Sequence, residues 1–332
     1  MKEVRTEMTN APAHFVDLLG LEREWLLHVF DEAERLRAAR GTKTAPRPLD
    51  GKTAALIFHK PSLRTRVSFS VGMHDLGGDV VDLSAAEVSE NGREGLQDVA
   101  QVLSTMCSLI VIRTFAHRTA QALAEHASVP VINALTDHSH TCQILSDLYT
   151  LRQAGRDLDR MTVAWVGDGN NVLHSWLQAA TLFGLRLNVA VPDGFEPDAG
   201  LFIESERRSR GGVRRTRDPR EAVLGADVVY TDTWTSMGQE QDAEWRRVMF
   251  AGFQVNEELI SLAKPDALFM HCLPAHRGEE VTDAVMDGPQ SIVIEQAENR
   301  LHLQKGLMAE LVRGIEARGK RSRARQAVAA TT

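Results

Sequence analysis

Apolar positions along this chain first recur at helical spacing and then gather into short runs. Residues 14–40 place apolar side chains at about the 3.6-residue repeat of a helix, with arginines and glutamates between them, which predicts an amphipathic helix. Further along, short and mainly apolar runs alternate with amphipathic stretches. Continuous apolar runs of this length are typical of strands that are buried on both faces of a parallel sheet.

Two series of strands are predicted. The first series comprises residues 54–58, 80–83, 109–112 and 129–132, with partner helices at about 65–76, 94–106, 118–127 and 141–154. The second series comprises residues 162–166, 187–191, 212–215, 227–230, 267–270 and 292–294, followed by a long last helix at about 296–318. Such alternation predicts parallel sheets with right-handed crossovers.

The predicted fold class is α/β, with two domains that each hold a parallel β-sheet flanked by helices and are joined by crossing helices. A chain of 332 residues exceeds the roughly 250–300 residues that one core usually supports. The expected domains are residues 1–145, with the N-terminal helix, and residues 146–316. The last helix is expected to pack back on the first domain, and residues 317–332 form a flexible basic tail.

Composition narrows the classes of function. The net charge of −7 disfavours nucleic acid as a partner, because binding to phosphate backbones needs a basic face. Three cysteines without a CxxC pair favour a reducing cytoplasm over a disulfide framework. The charged N-terminus lacks the apolar core of a signal peptide, and no apolar run reaches the ~18 residues of a membrane span. We therefore expect a cytoplasmic protein that does not interact with membranes.

The segment Lys60-Pro-Ser-Leu-Arg-Thr-Arg66 directly follows a predicted strand and opens a helix. Ser62 is a candidate N-cap, and backbone N–H groups at a helix start together with guanidinium groups form an anion pocket. A capped helix with surface arginines remains an alternative. The GxxxxGK[ST] spacing of a nucleotide-binding loop is absent. Arg113 ends another predicted strand and is a candidate ligand for a charged oxygen.

Two further segments carry polar side chains at a junction between a loop or strand and a helix. His140 and Gln143 lie three residues apart at a predicted helix start, so both can point at one ligand. The turn Gly167-Asp-Gly-Asn-Asn-Val172 is similar to a dinucleotide-binding turn but lacks its third glycine, which makes NAD a weak alternative. Asn171 is better interpreted as a hydrogen-bonding group for a polar substrate.

Acidic and thiol groups follow two later strands. Asp232 opens a glycine-containing loop after the predicted strand 227–230, a position suited to a cationic amine, although it could equally be a helix N-cap. The run His271-Cys-Leu-Pro-Ala-His276 follows strand 267–270, at the edge where α/β sheets bind ligands. Zinc is a minor hypothesis, because adjacent His and Cys side chains rarely reach one ion and no second cluster exists. We therefore expect no metal and no cofactor.

Together these segments resemble the aspartate/ornithine carbamoyltransferase family over about residues 12–316. The most specific matches are HCLPAHRGEEVTD at 271–283, QAENR at 296–300 and DTWTSMG at 232–238. The resemblance implies an N-terminal carbamoyl-phosphate domain, a C-terminal amino-acid domain, and a homotrimer with shared active sites. It also implies carbamoyl transfer from carbamoyl phosphate to the δ-amino group of ornithine, which gives citrulline and phosphate.

The resemblance assigns roles by position. It implies that carbamoyl phosphate is bound by Ser62, Leu63, Arg64, Thr65, Arg113, His140, Gln143, Leu273 and Arg300. It implies that ornithine is bound by Asn171, Asp232, Ser236 and Met237. The catalytic residues it implies are Arg113, His140, Asp232 and Cys272. Cys272 and Leu273 lie at the reaction centre, and the family makes the Leu273–Pro274 bond cis.

The chemistry expected of these residues needs no covalent intermediate. Arg113, Thr65 and His140 can polarise the carbonyl and stabilise an oxyanion. An alkyl amine with a pKa near ~10.4 must lose its proton before it attacks. We expect Asp232 and Cys272 to orient that amine while domain closure supplies proximity. A nucleophilic Cys272 is the less favoured alternative.

The chain departs from the family pattern at five positions. Leu63 replaces a threonine, His59 and Ser70 replace glutamates, Thr141 replaces a proline, and Ser89 replaces a glutamine. Most of these residues surround the donor site. We therefore hypothesise weaker carbamoyl phosphate binding, or resistance to a phosphate-mimicking inhibitor.

Three alternative functions stay open at this level. The chain could be a paralogous carbamoyltransferase that acts on another amine, such as an acylated ornithine. It could be an NAD-dependent dehydrogenase, or a catalytically silent binding homologue. The intact DTWTSMG loop argues against an acylated acceptor, because it should hold a free α-amino group. Whether the reaction serves synthesis or breakdown is not specified by the sequence.

Overall fold

The computed structural model describes residues 11–84, 87–88 and 94–329, with side chains to residue 321. Its chain divides into two compact units, one formed by Met1–Asp137 with Leu301–Thr332 and the other by His138–Arg300. Ser89, one of the five departures, lies outside the described residues.

The first unit is built on a four-stranded parallel sheet with the strand order β2-β1-β3-β4. Its strands are β1 (Thr53–Phe58), β2 (Asp79–Ser84), β3 (Leu109–Arg113) and β4 (Val131–Leu135). Its helices are α1 (Arg23–Ala38), α2 (Leu63–Asp75), α3 (Leu96–Met106) and α4 (His117–His126). All of β4 and most of β3 are buried, as the apolar runs predict.

The second unit contains a five-stranded parallel sheet with the order β7-β6-β5-β8-β9. Its strands are β5 (Thr162–Val166), β6 (Arg186–Ala190), β7 (Val213–Thr216), β8 (Val228–Thr231) and β9 (Leu268–His271). Its longer helices are α5 (Thr141–Gln153), α6 (Asn171–Leu182) and α7 (Ala199–Arg208). Short helices follow, namely α8 (Pro219–Val223), α9 (Ala243–Met249), α10 (Glu257–Ile260) and α11 (Asp283–Met286), before the long α12 (Val293–Ala329).

Each sheet has one point where the direction of winding reverses. In the first unit the chain places β2 on one side of β1 and then β3 on the other. In the second unit β6 and β7 extend one side of β5, and β8 and β9 extend the other. The crevice beyond the strand ends at such a switch point is where α/β sheets bind ligands. The switch points are therefore β1/β3 and β5/β8.

The predicted fold class is confirmed, with three differences in the elements. The N-terminal helix begins at Arg23, because the preceding residues pair with β4: Phe15 bridges Ile132 and donates its N–H to the Val131 carbonyl at 2.8 Å. The predicted strand 292–294 is wrong, since Val293 opens α12. A run of three apolar residues does not distinguish a strand from the start of a helix.

The last helix is longer than predicted. It runs from Val293 to Ala329 and therefore includes most of the segment expected to be a tail. No helix in the described part of the chain is both long and apolar enough to cross a membrane.

Candidate active site

The first group of predicted site residues meets at the β1/β3 switch point. Phe58 and Arg113, the last residues of β1 and β3, are paired in register. The His59 N–H donates to the Arg113 carbonyl at 2.8 Å, so the chain leaves β1 beside Arg113 and enters α2 four residues later. The structure thus brings Arg113 to the same sheet edge as the 60–66 segment.

The start of α2 is open to an anion. Ser62 occupies the N-cap position as predicted, but its hydroxyl makes no capping hydrogen bond. The first N–H groups of a helix have no partner within the helix and carry its positive dipole end. Leu63, the first helical residue, is 75% exposed, whereas Thr65 is buried. An anionic group at this position would meet the N–H groups of the first helical turn and an apolar side chain.

The two arginines of the 60–66 segment differ in their partners. Arg66 forms an ion pair with Asp82 at 2.5 Å and stacks 4.7 Å from the centre of the Phe58 ring. The Arg64 side chain makes no ion pair or hydrogen bond with the residues that the structure describes. The guanidinium of Arg64 is therefore the better candidate of the two for a substrate anion.

Lys60 also has a fixed environment. Its ammonium group is buried, pairs with Asp137 and lies 4.2 Å from the centre of the Phe115 ring. The salt bridge and the cation–π contact occupy this charge, so we assign Lys60 to the support of the loop.

The second unit places His140 and Gln143 at the start of α5. His140 is the N-cap residue, and its backbone N–H donates to the Ser175 hydroxyl at 2.8 Å. Gln143 accepts a hydrogen bond from Arg300 at 2.8 Å and donates one to Asp147 at 2.9 Å. The structure therefore joins Gln143 directly to Arg300, two residues that are 157 positions apart in sequence.

Three further polar side chains meet at the carboxyl ends of β5, β8 and β9. Asp232 directly follows β8, and its Oδ2 accepts from the Asn170 amide at 2.7 Å. Its Oδ1 accepts from the Cys272 thiol at 3.0 Å. Asn171, the predicted ornithine ligand, opens α6 directly after Asn170.

The environment of Cys272 keeps its thiol protonated. Burial, and then the neighbouring charge of Asp232, raise the pKa of the Cys272 thiol well above its usual value of 9.0. A thiolate is the nucleophilic form of cysteine. At neutral pH the Cys272 sulfur is therefore a hydrogen-bond donor, which disfavours the nucleophile alternative.

The turn after β9 is held by His271. The Leu273 N–H donates to His271 Nδ1 at 2.9 Å, so His271 Nε2 carries the ring proton and faces Glu280 Oε1 at 3.2 Å. Leu273 has φ of 58°, a left-handed conformation that is uncommon for a non-glycine residue. The Leu273–Pro274 bond is cis, which confirms that prediction.

His271 and Cys272 lie close enough to share one ion, which the sequence analysis considered rare for adjacent residues, and a second cluster exists, but the metal hypothesis gains little. Asp232, His271 and Cys272 offer ligand atoms within 4.8 Å of one another. However, Leu273 and Glu280 engage both ring nitrogens of His271, so a metal would have to displace one of them. A second such group comprises His276, Glu279 and Glu280. Its carboxylates already contact Arg247 and His271.

The loop 232–238 is anchored by Arg246, which the sequence did not single out. Arg246 donates to the Trp234 carbonyl at 2.9 Å and to the Asp168 carboxylate at 2.6 Å, and both side chains of this ion pair are buried. The Arg246 guanidinium also stacks 4.8 Å from the centre of the Phe195 ring. Burial raises the pKa of Asp168 to about 6, against the opposing charge of Arg246.

The remaining residues of that loop form a turn held by local hydrogen bonds. The Ser236 N–H donates to the Gln239 side chain at 3.1 Å, and the Gly238 N–H donates to Glu240 at 3.0 Å. Met237 is about half exposed. Ser236 and Met237 thus lie on an accessible turn that Arg246 holds at its base.

The glycine-containing turn after β5 does not suit a dinucleotide. The Asn170 side chain accepts from the N–H groups of Val172 and Leu173, so the start of α6 is already capped. A Cβ at Gly169 would lie 2.4 Å from the Phe195 carbonyl, which explains the glycine through backbone packing. The N–H groups that a pyrophosphate would need are occupied.

Several residues that support the site were not predicted. They are Asp147, Asp168, Asn170, Tyr230, Arg246 and Gln296. Of these, Asp168 and Asn170 lie in a turn that the sequence did single out, and Gln296 opens the QAENR run. Arg246 and Tyr230 lie in an ordinary helix and an apolar strand, where no local signal marks them.

Comparisons with known proteins agree with this arrangement. Residues 13–153 match the family model for the carbamoyl-P binding domain of aspartate/ornithine carbamoyltransferase, and residues 159–311 match that for the Asp/Orn binding domain. An ornithine carbamoyltransferase from Agrobacterium fabrum is 50% identical, covering 90% of this chain and 97% of the relative.

Solved structures show the same relationship. The ornithine carbamoyltransferase from Pyrococcus furiosus superimposes with a TM-score of 0.87 and 45% identity, covering 91% of this chain and 97% of the other. An N-acetyl-L-ornithine transcarbamylase superimposes with a TM-score of 0.80 and 30% identity, covering 90% of this chain and 99% of the other. The two domain matches, the parallel sheets and the residues gathered at their switch points place the chain in the aspartate/ornithine carbamoyltransferase family.

Proposed function

We infer that this protein transfers the carbamoyl group of carbamoyl phosphate to the δ-amino group of L-ornithine, forming L-citrulline and phosphate. The observation that carries this inference is the contact between Asp232 and Cys272 at the ends of neighbouring strands, beside an intact DTWTSMG loop. The identity of 50% to an ornithine carbamoyltransferase over 90% of the chain supports the same acceptor.

For the donor, we propose roles that follow from charge and accessibility. In the first unit the open start of α2, with Ser62, Leu63, Arg64 and Thr65, binds the phosphate, and Arg113 neutralises it. In the second unit the donor ligands are His140, Gln143, Leu273 and Arg300. Arg113 and His140 stabilise the oxyanion that forms when the carbonyl is attacked.

For the acceptor, we propose that Asn171, Asp232, Ser236 and Met237 bind ornithine. The attacking amine must be unprotonated, and a free alkyl amine is mostly protonated at neutral pH. Asp232 and the Cys272 thiol orient this amine. The amine forms the new C–N bond, phosphate leaves with the electrons of the C–O bond, and the nitrogen passes its extra proton to the departing phosphate.

An acceptor panel tests the choice of amine. We expect turnover with ornithine that exceeds turnover with N-acetylornithine or N-succinylornithine by at least about 100-fold, because the DTWTSMG loop should hold a free α-amino group and acylation would leave its polar groups unpaired. Faster turnover with an acylated ornithine would favour the alternative that the 30%-identical N-acetyl-L-ornithine transcarbamylase represents.

We also propose that the protein assembles as a homotrimer. Apolar side chains that are 47% to 73% exposed occur on β2 and α3 of the first unit, and their burial between copies would be favourable. These side chains are Val81, Val102 and Met106. Light scattering should give three times the chain mass, and a monomer would contradict the proposal.

A further inference from the structure

The carboxylate of Asp147 lies at the centre of a buried network that no proposed substrate contact includes. Asp147 is on α5 and fully buried. Its Oδ1 accepts from the side-chain amides of Gln143 at 2.9 Å and Gln296 at 2.8 Å. Its Oδ2 accepts from the Tyr230 hydroxyl at 2.8 Å. Donors from α5, β8 and α12 therefore converge on one side chain.

The side-chain oxygen of each glutamine accepts a hydrogen bond from a residue in or next to the proposed site. The oxygen of Gln143 accepts from the Arg300 guanidinium at 2.8 Å. The oxygen of Gln296 accepts from the His271 backbone N–H at 3.0 Å, one residue before Cys272. Two branches thus run from Asp147, one to a donor-binding arginine and the other to the turn that carries Cys272 and Leu273.

The carboxylate also determines which way each amide points. Because three donors converge on its two oxygens, the Asp147 carboxylate acts here as an acceptor, and both amides turn their NH₂ groups toward it and their oxygens away from it. If either amide rotated, its NH₂ group would face the donors of Arg300 or His271. Without the Asp147 carboxylate, only the Arg300 and His271 donors would hold the two amides in this orientation.

We propose that Asp147 is a positioning residue that aligns the Arg300–Gln143 donor pair with the Cys272–Leu273 turn. This inference rests on the proposed function, because it assigns both branches to the same carbamoyl transfer. A polar group that is buried and fully hydrogen-bonded can fix one arrangement of its neighbours at a cost in stability that an apolar residue would avoid. Asp147 acts through Gln143 and Gln296 and touches no substrate itself.

The primary test is Asp147→Asn, with Ser146→Ala as the matched control. Ser146 neighbours Asp147 on α5 and is equally buried, and its hydroxyl has no hydrogen-bond partner among the described residues. We expect Asp147→Asn to raise KM for carbamoyl phosphate and to lower kcat, reducing kcat/KM by about 10- to 100-fold. Ser146→Ala should stay within about twofold of the unmodified protein.

A variant that breaks only one of the two branches distinguishes a positioning role from a general loss of folding. Gln296→Met removes the whole branch to the His271 N–H, including the Gln296 hydrogen bonds to Asp147 and Tyr230, and keeps the Gln143 branch. It should therefore lower kcat and leave the affinity for carbamoyl phosphate near its original value. A purely structural role predicts instead that Asp147→Asn lowers the amount of folded protein and leaves KM and kcat of the folded fraction unchanged. That result would overturn the proposal.

Two further measurements cover the remaining outcomes. If Asp147→Asn does not fold, Tyr230→Phe removes one donor and keeps the ring that stacks 5.4 Å from Trp165. It should lower kcat/KM by about threefold to tenfold, and an unchanged value would overturn the proposal. If the unmodified protein does not turn over ornithine, calorimetric binding of carbamoyl phosphate still tests Asp147. Binding that weakens about tenfold in Asp147→Asn supports positioning, and equal binding contradicts it.

Discussion

The Cys272 thiol donates a hydrogen bond to Oδ1 of Asp232 across 3.0 Å, at the ends of two neighbouring strands. Because burial and the Asp232 charge raise the thiol pKa well above its usual value, the sulfur carries its proton at neutral pH. The thiol proton is thus held by Asp232, and the pair presents to a substrate amine a carboxylate and a sulfur that can both accept from its N–H groups.

This relationship predicts different effects for two substitutions of Cys272. A serine hydroxyl keeps a donor for Asp232, whereas alanine removes it. We expect Cys272→Ala to lower kcat by about 10- to 100-fold, the effect of losing a hydrogen bond to a charged group, and Cys272→Ser to lower it less. Steady-state rates with ornithine measure both. Equal and nearly complete loss in the two variants would indicate a covalent role for the sulfur.

Arg246 should determine both the stability of the second unit and the affinity for ornithine. Arg246→Met leaves Asp168 buried without its partner and releases the Trp234 carbonyl. Breaking a buried ion pair costs about 3–5 kcal/mol, and the freed 232–238 loop should raise KM for ornithine more than KM for carbamoyl phosphate.

Arg247→Met is the matched control for Arg246→Met. Arg247 pairs with Glu279 at the surface, where a salt bridge contributes less than about 1 kcal/mol. The free energy of unfolding in urea and KM for each substrate should differ between Arg246→Met and Arg247→Met. Similar losses of stability in both variants would show that Arg246 does not anchor the loop.

Substitution of Leu63 should strengthen, rather than weaken, the binding of carbamoyl phosphate. Leu63→Thr places a hydroxyl at the open start of α2, where an anion is expected, and should lower KM for carbamoyl phosphate about tenfold. Val67→Thr is the control, because Val67 is one turn later on the same helix and is also exposed. If Leu63→Thr binds the donor no better than Val67→Thr, the hypothesis of a weakened donor site is wrong.

The raised pKa of Asp147 predicts that its contribution to the free energy of unfolding depends on pH. Burial raises the pKa of Asp147 from 3.8 to about 7, so the folded state binds a proton more readily than the unfolded state in that range. The contribution of Asp147 to stability therefore falls as pH rises from about 4 to about 7, by up to about 4 kcal/mol. Of the groups that face it, Tyr230 and Cys272 have raised pKa values and stay protonated, and Arg300 stays charged.

Asp147→Asn removes this titration. We compare the unfolding midpoints of Asp147→Asn and the unmodified protein at each pH. The midpoint of the variant minus that of the unmodified protein should increase from pH 5 to pH 8, whatever its value at pH 5. Thermal unfolding at several pH values measures the trend, with Ser146→Ala as a variant whose difference should not change with pH. A difference for Asp147→Asn that is the same at every pH would contradict the raised pKa.

The sequence was sufficient to predict both sheets and the edges at which the site residues lie. Strand ends in a parallel sheet follow from apolar runs, and the polar residues directly after those runs must meet at one edge. For this reason Arg113, Asp232 and Cys272 could be named before their contacts were known. The N-terminal helix was predicted too long because the pairing of Phe15 with Ile132 is a tertiary contact that spacing does not reveal.

The residues that hold the site could not be predicted in the same way. Asp147 lies in the middle of α5, and its partners Tyr230 and Gln296 are 83 and 149 positions away. Arg246 contacts Asp168 across 78 positions. Such pairs depend on how helices and strands pack, and a single sequence carries no periodicity that records them.

The most direct test of the central claim is citrulline formation by the purified protein from ornithine and carbamoyl phosphate. We predict one citrulline for each phosphate released beyond spontaneous donor breakdown, and a rate that falls at least about tenfold in Cys272→Ala. Phosphate release without citrulline, or no turnover by folded protein under conditions in which it binds carbamoyl phosphate, would contradict ornithine as the acceptor.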